Sequence, residues 1–163
     1  MEKEWENALR DFRTVWMRVQ EGRAQTAGYL PEVTGSAELE QAIRIEAERQ
    51  QDYSCAACRT KGRCAETLYT MAAQCGRNLR QLQREYFLST GDTLVPDSRA
   101  QPEEGLPGLL RQLFLWEGVS AGTYLALSAA AESEERRLLF GDLSQRCSRR
   151  REKLRELIGQ MLG

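Results

Sequence analysis

The fold is decided by the stretch LEQAIRIEAERQQDYSCAA, which spans residues 39–57. At about 100° per residue, a helix would place Glu46 on the same face as the apolar side chains of this stretch. Those side chains are Leu39, Ile43, Tyr53 and Ala57. A carboxylate on a core-facing stripe is costly unless it is ionically paired, bound to a metal or protonated. The stretch therefore predicts a buried helix that carries a polar group into the protein interior.

The same pattern recurs later in the chain. Glu117 and Tyr124 stand at the same spacing as Glu46 and Tyr53. On a helix, Glu117 shares its face with Leu110, Leu113, Tyr124 and Ala131. We expect both glutamates to face the same core.

A second pair of segments repeats in the same way, with Cys75 matching Cys147 and Leu82 matching Leu154. Each cysteine again lies on a largely apolar helical face. These faces comprise Leu68, Met71, Cys75, Leu82 and Tyr86, and then Phe140, Leu143, Cys147, Leu154 and Ile158. The sequence therefore indicates two helical hairpins, one a diverged copy of the other, with all four repeat positions directed inward.

The remaining boundaries predict an all-α fold. Helices are expected over about 37–60, from after a short turn at 61–63 to about 89, over 107–131 and over 134–161, with a long crossover at 91–106. Ser36 and Ser133 are the expected N-caps of two of these helices. Residues 1–35 are predicted to form an N-terminal amphipathic helix, at 4–20, followed by a linker, and residues 36–163 to form the bundle.

Composition narrows the function classes. Apolar residues make up 41% and charged residues 29%, with only four prolines, which is typical of a globular protein. The formal net charge of −1 leaves no broad basic surface, so we expect no nucleic-acid partner. The most apolar stretch, 109–131, contains Arg111 and Glu117, so no membrane association is expected. The charged N-terminus and the absence of an apolar segment after it predict a cytoplasmic location.

The chain has no histidine and five cysteines. The missing histidine removes the commonest transition-metal ligand and the usual proton-transfer group near neutral pH. An odd number of cysteines in a reducing compartment favours free thiols, metal ligands or redox groups over a set of disulfides.

Two segments carry a family resemblance: AAQCGRNLRQL at 72–82 and YFLSTG at 86–91. They resemble the second-helix signature of the rubrerythrin-like branch of the ferritin-like superfamily, and the resemblance covers roughly residues 36–160. It implies a ferritin-like four-helix bundle, two hairpins joined by a long crossover, that forms a homodimer.

In that family, each hairpin supplies one Glu from its first helix and a Glu-x-x-His from its second, which together bind two iron ions. Here Glu46 and Glu117 match the first-helix ligands. Cysteines match the two second-helix glutamates, at Cys75 and Cys147. The two histidine positions hold Asn78 and Arg150. The resemblance therefore implies a bundle that has lost the conventional di-iron oxidase or peroxidase site.

Three interpretations of the bundle centre remain open. Glu46, Cys75, Glu117 and Cys147 suit a single zinc or iron ion, although Arg150 beside a cation opposes this. Alternatively no metal is bound, Arg150 neutralises the two glutamates, and the cysteines are small buried apolar groups. A disulfide or redox dithiol between the two cysteines is the third possibility.

The remaining candidates are secondary. Tyr53 and Tyr124 are expected to hydrogen-bond carboxylates, either around a metal or as partners of an ion pair with Asn78 and Arg150. Cys55 and Cys58 form a CxxC pair that is predicted to face outward or sideways, away from Glu46, with Cys64 on the Cys75 face. The expected function is a structural or interaction role without catalysis, with a metal-binding or thiol redox protein as the alternative.

Overall fold

The computed structural model describes residues 31–163, with side chains from Ser36 onward. The predicted N-terminal helix at 4–20 and most of the linker lie outside these residues. Four helices make up the described chain: α1 Pro31–Cys58, α2 Gly62–Thr90, α3 Leu106–Ala130 and α4 Glu134–Leu162. No strand occurs between residues 31 and 163. The predicted all-α class is therefore confirmed as a bundle of four helices.

The start of α1 differs from the prediction, because the helix begins at Pro31 and not after Ser36. The glycines of the segment 22–35 suggested a linker that would reach Ser36. Proline suits the first helical position, since its missing N–H would have no intrahelical partner there. Residues 31–35, assigned to the linker from the sequence, thus belong to the helix.

The other helix ends follow from local chemistry. Gly91 adopts φ 76, and its N–H donates to the carbonyl of Phe87, which ends α2. Only glycine adopts this left-handed conformation without a steric cost. At the start of α4, the Ser133 side chain accepts a hydrogen bond from the backbone N–H of Arg136 at 3.1 Å, as expected of an N-cap.

The helices pack as two hairpins, α1 with α2 and α3 with α4, and α1 also contacts α3 across the bundle. Contact between α2 and α4 is sparse, which leaves a groove along that side.

The crossover at 91–105 returns along α1. Arg59 donates to the carbonyls of Pro102, at 2.6 Å, and Glu104, and Gln51 hydrogen-bonds the backbone of Arg99.

Two apolar clusters fill the interior. The first includes Tyr53, Leu68, Leu113 and Leu154, and the second includes Leu39, Leu82, Tyr124 and Phe140. The predicted core stripes supply most of their members. None of the helices in the described part of the chain is long and apolar enough to cross a membrane.

Candidate functional site

The centre of the bundle holds a buried polar cluster, by which we mean Glu46, Tyr53, Asn78, Glu117, Tyr124 and Arg150. All six side chains are nearly or fully removed from solvent, with exposed fractions of 0–2%. The two flanking cysteines, Cys75 and Cys147, are also fully buried. The structure thus brings together all eight residues that the sequence analysis selected.

The two hairpins exchange hydrogen bonds at the centre. Tyr53 of the first hairpin donates to Glu117 of the second at 2.7 Å, and Tyr124 of the second donates to Glu46 of the first at 2.9 Å. Because these pairs are related by the internal repeat, the arrangement has an approximate two-fold symmetry. Each tyrosine therefore ties its own hairpin to the buried carboxylate of the other.

Arg150 breaks that symmetry. Its Nε donates to Glu117 Oε1 at 2.8 Å and its Nη2 to Oε2 at 3.2 Å, a two-pronged contact that fits the planar guanidinium. The same Nη2 lies 3.7 Å from Glu46 Oε1. One guanidinium therefore contacts both buried carboxylates.

Glu46 has its own partners on the other side. Asn78, the repeat equivalent of Arg150, donates from Nδ2 to Glu46 Oε2 at 3.1 Å. The Asn78 side-chain oxygen Oδ1 in turn accepts from Arg146 Nη1 at 2.5 Å, and Arg146 is also paired with Asp142. Sequence reasoning missed Arg146, although it lies one helical turn before Arg150 and so shares its face.

Electrostatics and burial fix the protonation of three members of the cluster, Arg150, Tyr53 and Tyr124. Burial alone would lower the pKa of the Arg150 guanidinium, but attraction to Glu117 and its other neighbours outweighs this and raises the pKa well above its ordinary value. Burial, together with the facing glutamates, raises the pKa of the Tyr53 and Tyr124 hydroxyls well above 10.0. At neutral pH the arginine is therefore charged and both tyrosines are neutral hydrogen-bond donors.

The two central cysteines are free thiols. Burial raises the pKa of Cys75 and of Cys147 well above 9.0, and the neighbouring glutamates add to the effect. Arg150 Nη2 lies 3.3 Å from Cys147 Sγ. Since the thiolate is the reactive form and is disfavoured here, both groups behave as small apolar side chains.

A metal ion at this centre is a poor fit to the side chains as they stand. Arg150 donates to both oxygens of Glu117, lies 3.7 Å from Glu46 Oε1 and lies 3.3 Å from Cys147 Sγ, and a cation would have to displace this positive charge. Among residues 36–163, no group of three or more cysteine, aspartate and glutamate side chains is arranged to hold a metal ion. Arg150 contacts both glutamates, which is the geometry that a buried ion pair requires.

The CxxC segment lies apart from the buried polar cluster. Cys58 is exposed, with its sulfur 3.3 Å from the Tyr69 hydroxyl. Cys55 and Cys64 are half-buried against the first apolar cluster, so Cys55 is covered in part by apolar neighbours and does not face open solvent. All three are free thiols.

A second buried ion pair was not anticipated. Arg49 donates to Asp52 at 2.9 Å, with side-chain exposures of only 3% and 5%, and the guanidinium of Arg49 lies over the ring of Trp116 at 5.3 Å. Arg99 of the crossover also pairs with Asp52. In the sequence these residues resemble an ordinary solvated i, i+3 pair, which is why they carried no signal.

Comparisons with known proteins add only fold information. No protein-family model matches the chain, and no curated protein matches it. A solved structure of a hypothetical protein from Pyrococcus furiosus is similar, with a TM-score of 0.65 and 19% identity, covering 77% of this chain and 90% of that one. At this identity the similarity shows a shared helical fold and nothing about activity.

Proposed function

We propose that this chain is a ferritin-like bundle of the rubrerythrin-like branch in which an ion pair has replaced the di-iron centre, and that it serves a structural or interaction role without catalysis. The observation that carries the proposal is the position of Arg150. Its guanidinium lies between Glu46 and Glu117, at the place that the resemblance assigns to metal.

The partners of the carboxylates support this interpretation. A di-iron site needs several carboxylates, usually with histidines, whose oxygens are free to bind cations. Here the oxygens of Glu46 accept from Tyr124 and Asn78, and those of Glu117 accept from Tyr53 and Arg150. A buried carboxylate with this many donors is already compensated. The hydrogen bonds therefore stabilise the junction of the two hairpins without a metal.

The absence of solvent access supports a role without chemistry at the centre. The two glutamates, two tyrosines and two cysteines have exposed fractions of 0%. A substrate would need a path to one of these groups, and a thiol redox function would need a thiolate that burial disfavours. Both requirements oppose the alternative of a metal or thiol redox protein.

An interaction role requires an exposed surface that a partner can cover. Leu125 on α3 and Leu138 on α4 are 63% and 64% exposed, and both lie within about two turns of the α3–α4 connection. Both therefore lie at the same end of the α3–α4 hairpin, and exposed large apolar side chains are typical of contact surfaces. We include in the proposal a homodimer that buries Leu125 and Leu138. In analytical sedimentation, the parent chain should then behave as a dimer and the Leu125→Glu/Leu138→Glu variant as a monomer.

Elemental analysis tests the proposal directly. The chain, purified without chelator, should contain zinc and iron only at background level, and the Cys75→Ser/Cys147→Ser variant should have the same metal content. One equivalent of metal in the parent chain that disappears in the variant would contradict the proposal and establish the four-ligand site. The Cys55→Ser/Cys58→Ser variant is the matched control, because it removes two thiols outside the centre.

A further inference from the structure

The sparse contact between α2 and α4 leaves a cavity of about 450 Å3 between them. All the residues that line it have polar or charged side chains: Gln74, Arg77, Asn78, Gln81, Arg146 and Arg149. An adjoining cavity of about 340 Å3 shares Gln74 and Arg149 with the first and adds Arg150 and Lys153, together with Thr67, Thr70 and the apolar Met71. We call the two together the α2–α4 groove. No acidic side chain lines either cavity among the described residues.

Residues that line the groove from α2 and from α4 occupy matching positions of the internal repeat. In the overlay that matches Cys75 with Cys147, Gln74 matches Arg146, Arg77 matches Arg149, Asn78 matches Arg150, and Gln81 matches Lys153. The spacing i, i+3, i+4, i+7 puts each set on one face of its helix. The α4 face carries a cation at every one of these positions, whereas the α2 face carries one arginine and three amides. The repeat has thus diverged toward a positively charged groove.

Part of this charge is already compensated. Arg146 is paired with Asp142, Lys153 lies 3.6 Å from Glu156, and Arg150 contacts Glu117. Arg77 and Arg149 are exposed and have no ion pair with any described residue. Two uncompensated guanidinium groups therefore line one cavity from opposite helices.

One residue that lines the groove carries a buried donor without a partner. Arg150 is only 2% exposed and lines the adjoining cavity, and its Nη1 has no hydrogen-bond acceptor among the described residues. A buried N–H group without a partner is unfavourable, and a bound acceptor would relieve that cost. Guanidinium groups match the oxygens of phosphate in planar, two-pronged hydrogen bonds.

We propose that the α2–α4 groove binds a small molecule bearing two or more phosphate groups, held by Arg77 and Arg149 from the two hairpins, with Gln74 and Gln81 as further donors. The size of the cavity lies within the usual range for small-molecule sites. No aromatic ring lines either cavity among the described residues, so a stacked base is not part of the recognition. The inference goes beyond the proposed function. Asn78 and Arg150 belong to both the groove and the buried polar cluster, but the binding arginines Arg77 and Arg149 have no hydrogen bond or ion pair with the two central glutamates, so their replacement tests the groove separately from the metal question.

Calorimetric titration of the full chain with inorganic pyrophosphate tests this inference. One site is expected, and Arg77→Ala/Arg149→Ala should weaken it at least tenfold. Because both side chains are exposed, this variant should keep the helical circular dichroism of the parent. Inorganic orthophosphate should bind more weakly than pyrophosphate, since one phosphate group cannot contact both arginines as well.

The matched control is Arg63→Ala/Arg80→Ala, which removes two exposed arginines of α2 that line neither cavity. This variant should bind pyrophosphate like the parent. Three results would overturn the proposal: no binding of pyrophosphate, unchanged binding in Arg77→Ala/Arg149→Ala, or an equal loss in the two double variants. The phosphate groups could belong to a soluble molecule or to lipid headgroups. Sedimentation with vesicles of phosphatidylcholine and phosphatidic acid distinguishes these two sources. If the chain binds the vesicles and pyrophosphate does not displace it from them, that result too would contradict a soluble ligand.

Discussion

Arg150 donates to Glu117 through two nitrogens, at 2.8 and 3.2 Å, and both side chains are buried in the centre of the bundle. Opposite charges in this setting are compensated only by each other and by the surrounding donors. Glu46, 3.7 Å from the same guanidinium, depends on it as well. The stability of the whole centre therefore depends on one arginine.

Replacing Arg150 should strongly destabilise the folded protein. Arg150→Ala leaves Glu117 buried without its cation, and we expect the free energy of unfolding to fall by about 3–5 kcal/mol. Urea denaturation followed by circular dichroism measures this loss. The neighbouring Arg149 is exposed, so Arg149→Ala should change stability by no more than about 0.5 kcal/mol. A loss below about 1 kcal/mol for Arg150→Ala would contradict the buried ion pair.

Replacing both Arg150 and Glu117 should destabilise the protein less than replacing Arg150 alone. In Arg150→Met/Glu117→Gln the pair is replaced by neutral side chains of similar size, so no uncompensated charge is left at this contact. We expect the double variant to be more stable than Arg150→Met alone, with a coupling of about 1–3 kcal/mol in the double-mutant cycle. Strictly additive losses would mean that the two side chains do not interact.

Stability should fall at alkaline pH. Burial and the facing glutamates raise the pKa of Tyr53 and Tyr124 above 10.0, so the folded state keeps protons that the unfolded chain releases. This stabilisation is complete below about pH 10 and is lost as the pH rises toward the folded pKa values, by up to about 1.4 kcal/mol per pH unit for each group. The buried thiols Cys75 and Cys147, with raised pKa values, begin the decline near pH 9.0.

Urea denaturation between about pH 8 and pH 11 measures this decline. Tyr53→Phe/Tyr124→Phe should have a flatter profile above pH 10, whatever its baseline stability. Tyr69→Phe is the matched control. The hydrogen bond with Cys58 raises the pKa of Tyr69 as well, but this side chain is 49% exposed, so solvent screening should make the effect of Tyr69→Phe on the profile much smaller. A double variant with the same slope as the parent would show that the buried hydroxyls do not titrate on unfolding.

Thiol labelling should separate the cysteines by burial. Cys58 is exposed and should react with a maleimide in the native protein, whereas Cys75 and Cys147 should react only after unfolding. Peptide mapping by mass spectrometry identifies the labelled positions. Labelling of Cys147 at a rate close to that of Cys58 would contradict the buried, protonated thiol described above.

The ion pair that anchors the crossover allows a comparison within one network. Asp52→Asn leaves Arg49 buried without a charge partner and should cost about 3–5 kcal/mol. Arg99 is 46% exposed, so Arg99→Ala should cost less than about 1 kcal/mol although it contacts the same carboxylate. Thermal and urea denaturation of the two variants measure which of them loses more stability. Equal losses would mean that exposure does not control the strength of these contacts.

Part of the centre could be predicted because the repeat made it visible. Glu46 and Glu117 interrupt apolar stripes at matching positions, and Tyr53 and Tyr124 follow them at one spacing, so all four were placed in the core from helical periodicity alone. Arg146 and the Arg49–Asp52 pair were missed. Charged residues at i, i+3 or i+4 are usually solvated, and only packing shows which of them are buried.

By itself, the sequence determined four helices, the two hairpins and the residues that face the core, because helical periodicity and turn chemistry are local properties of the chain. Only the tertiary structure decided how that core is neutralised. Whether Arg150 points between two carboxylates, whether Cys75 and Cys147 remain thiols, and how the sparse contact of α2 with α4 opens a charged groove depend on distances between segments that are far apart in the sequence. No local pattern encodes those distances, since they follow from how the helices pack.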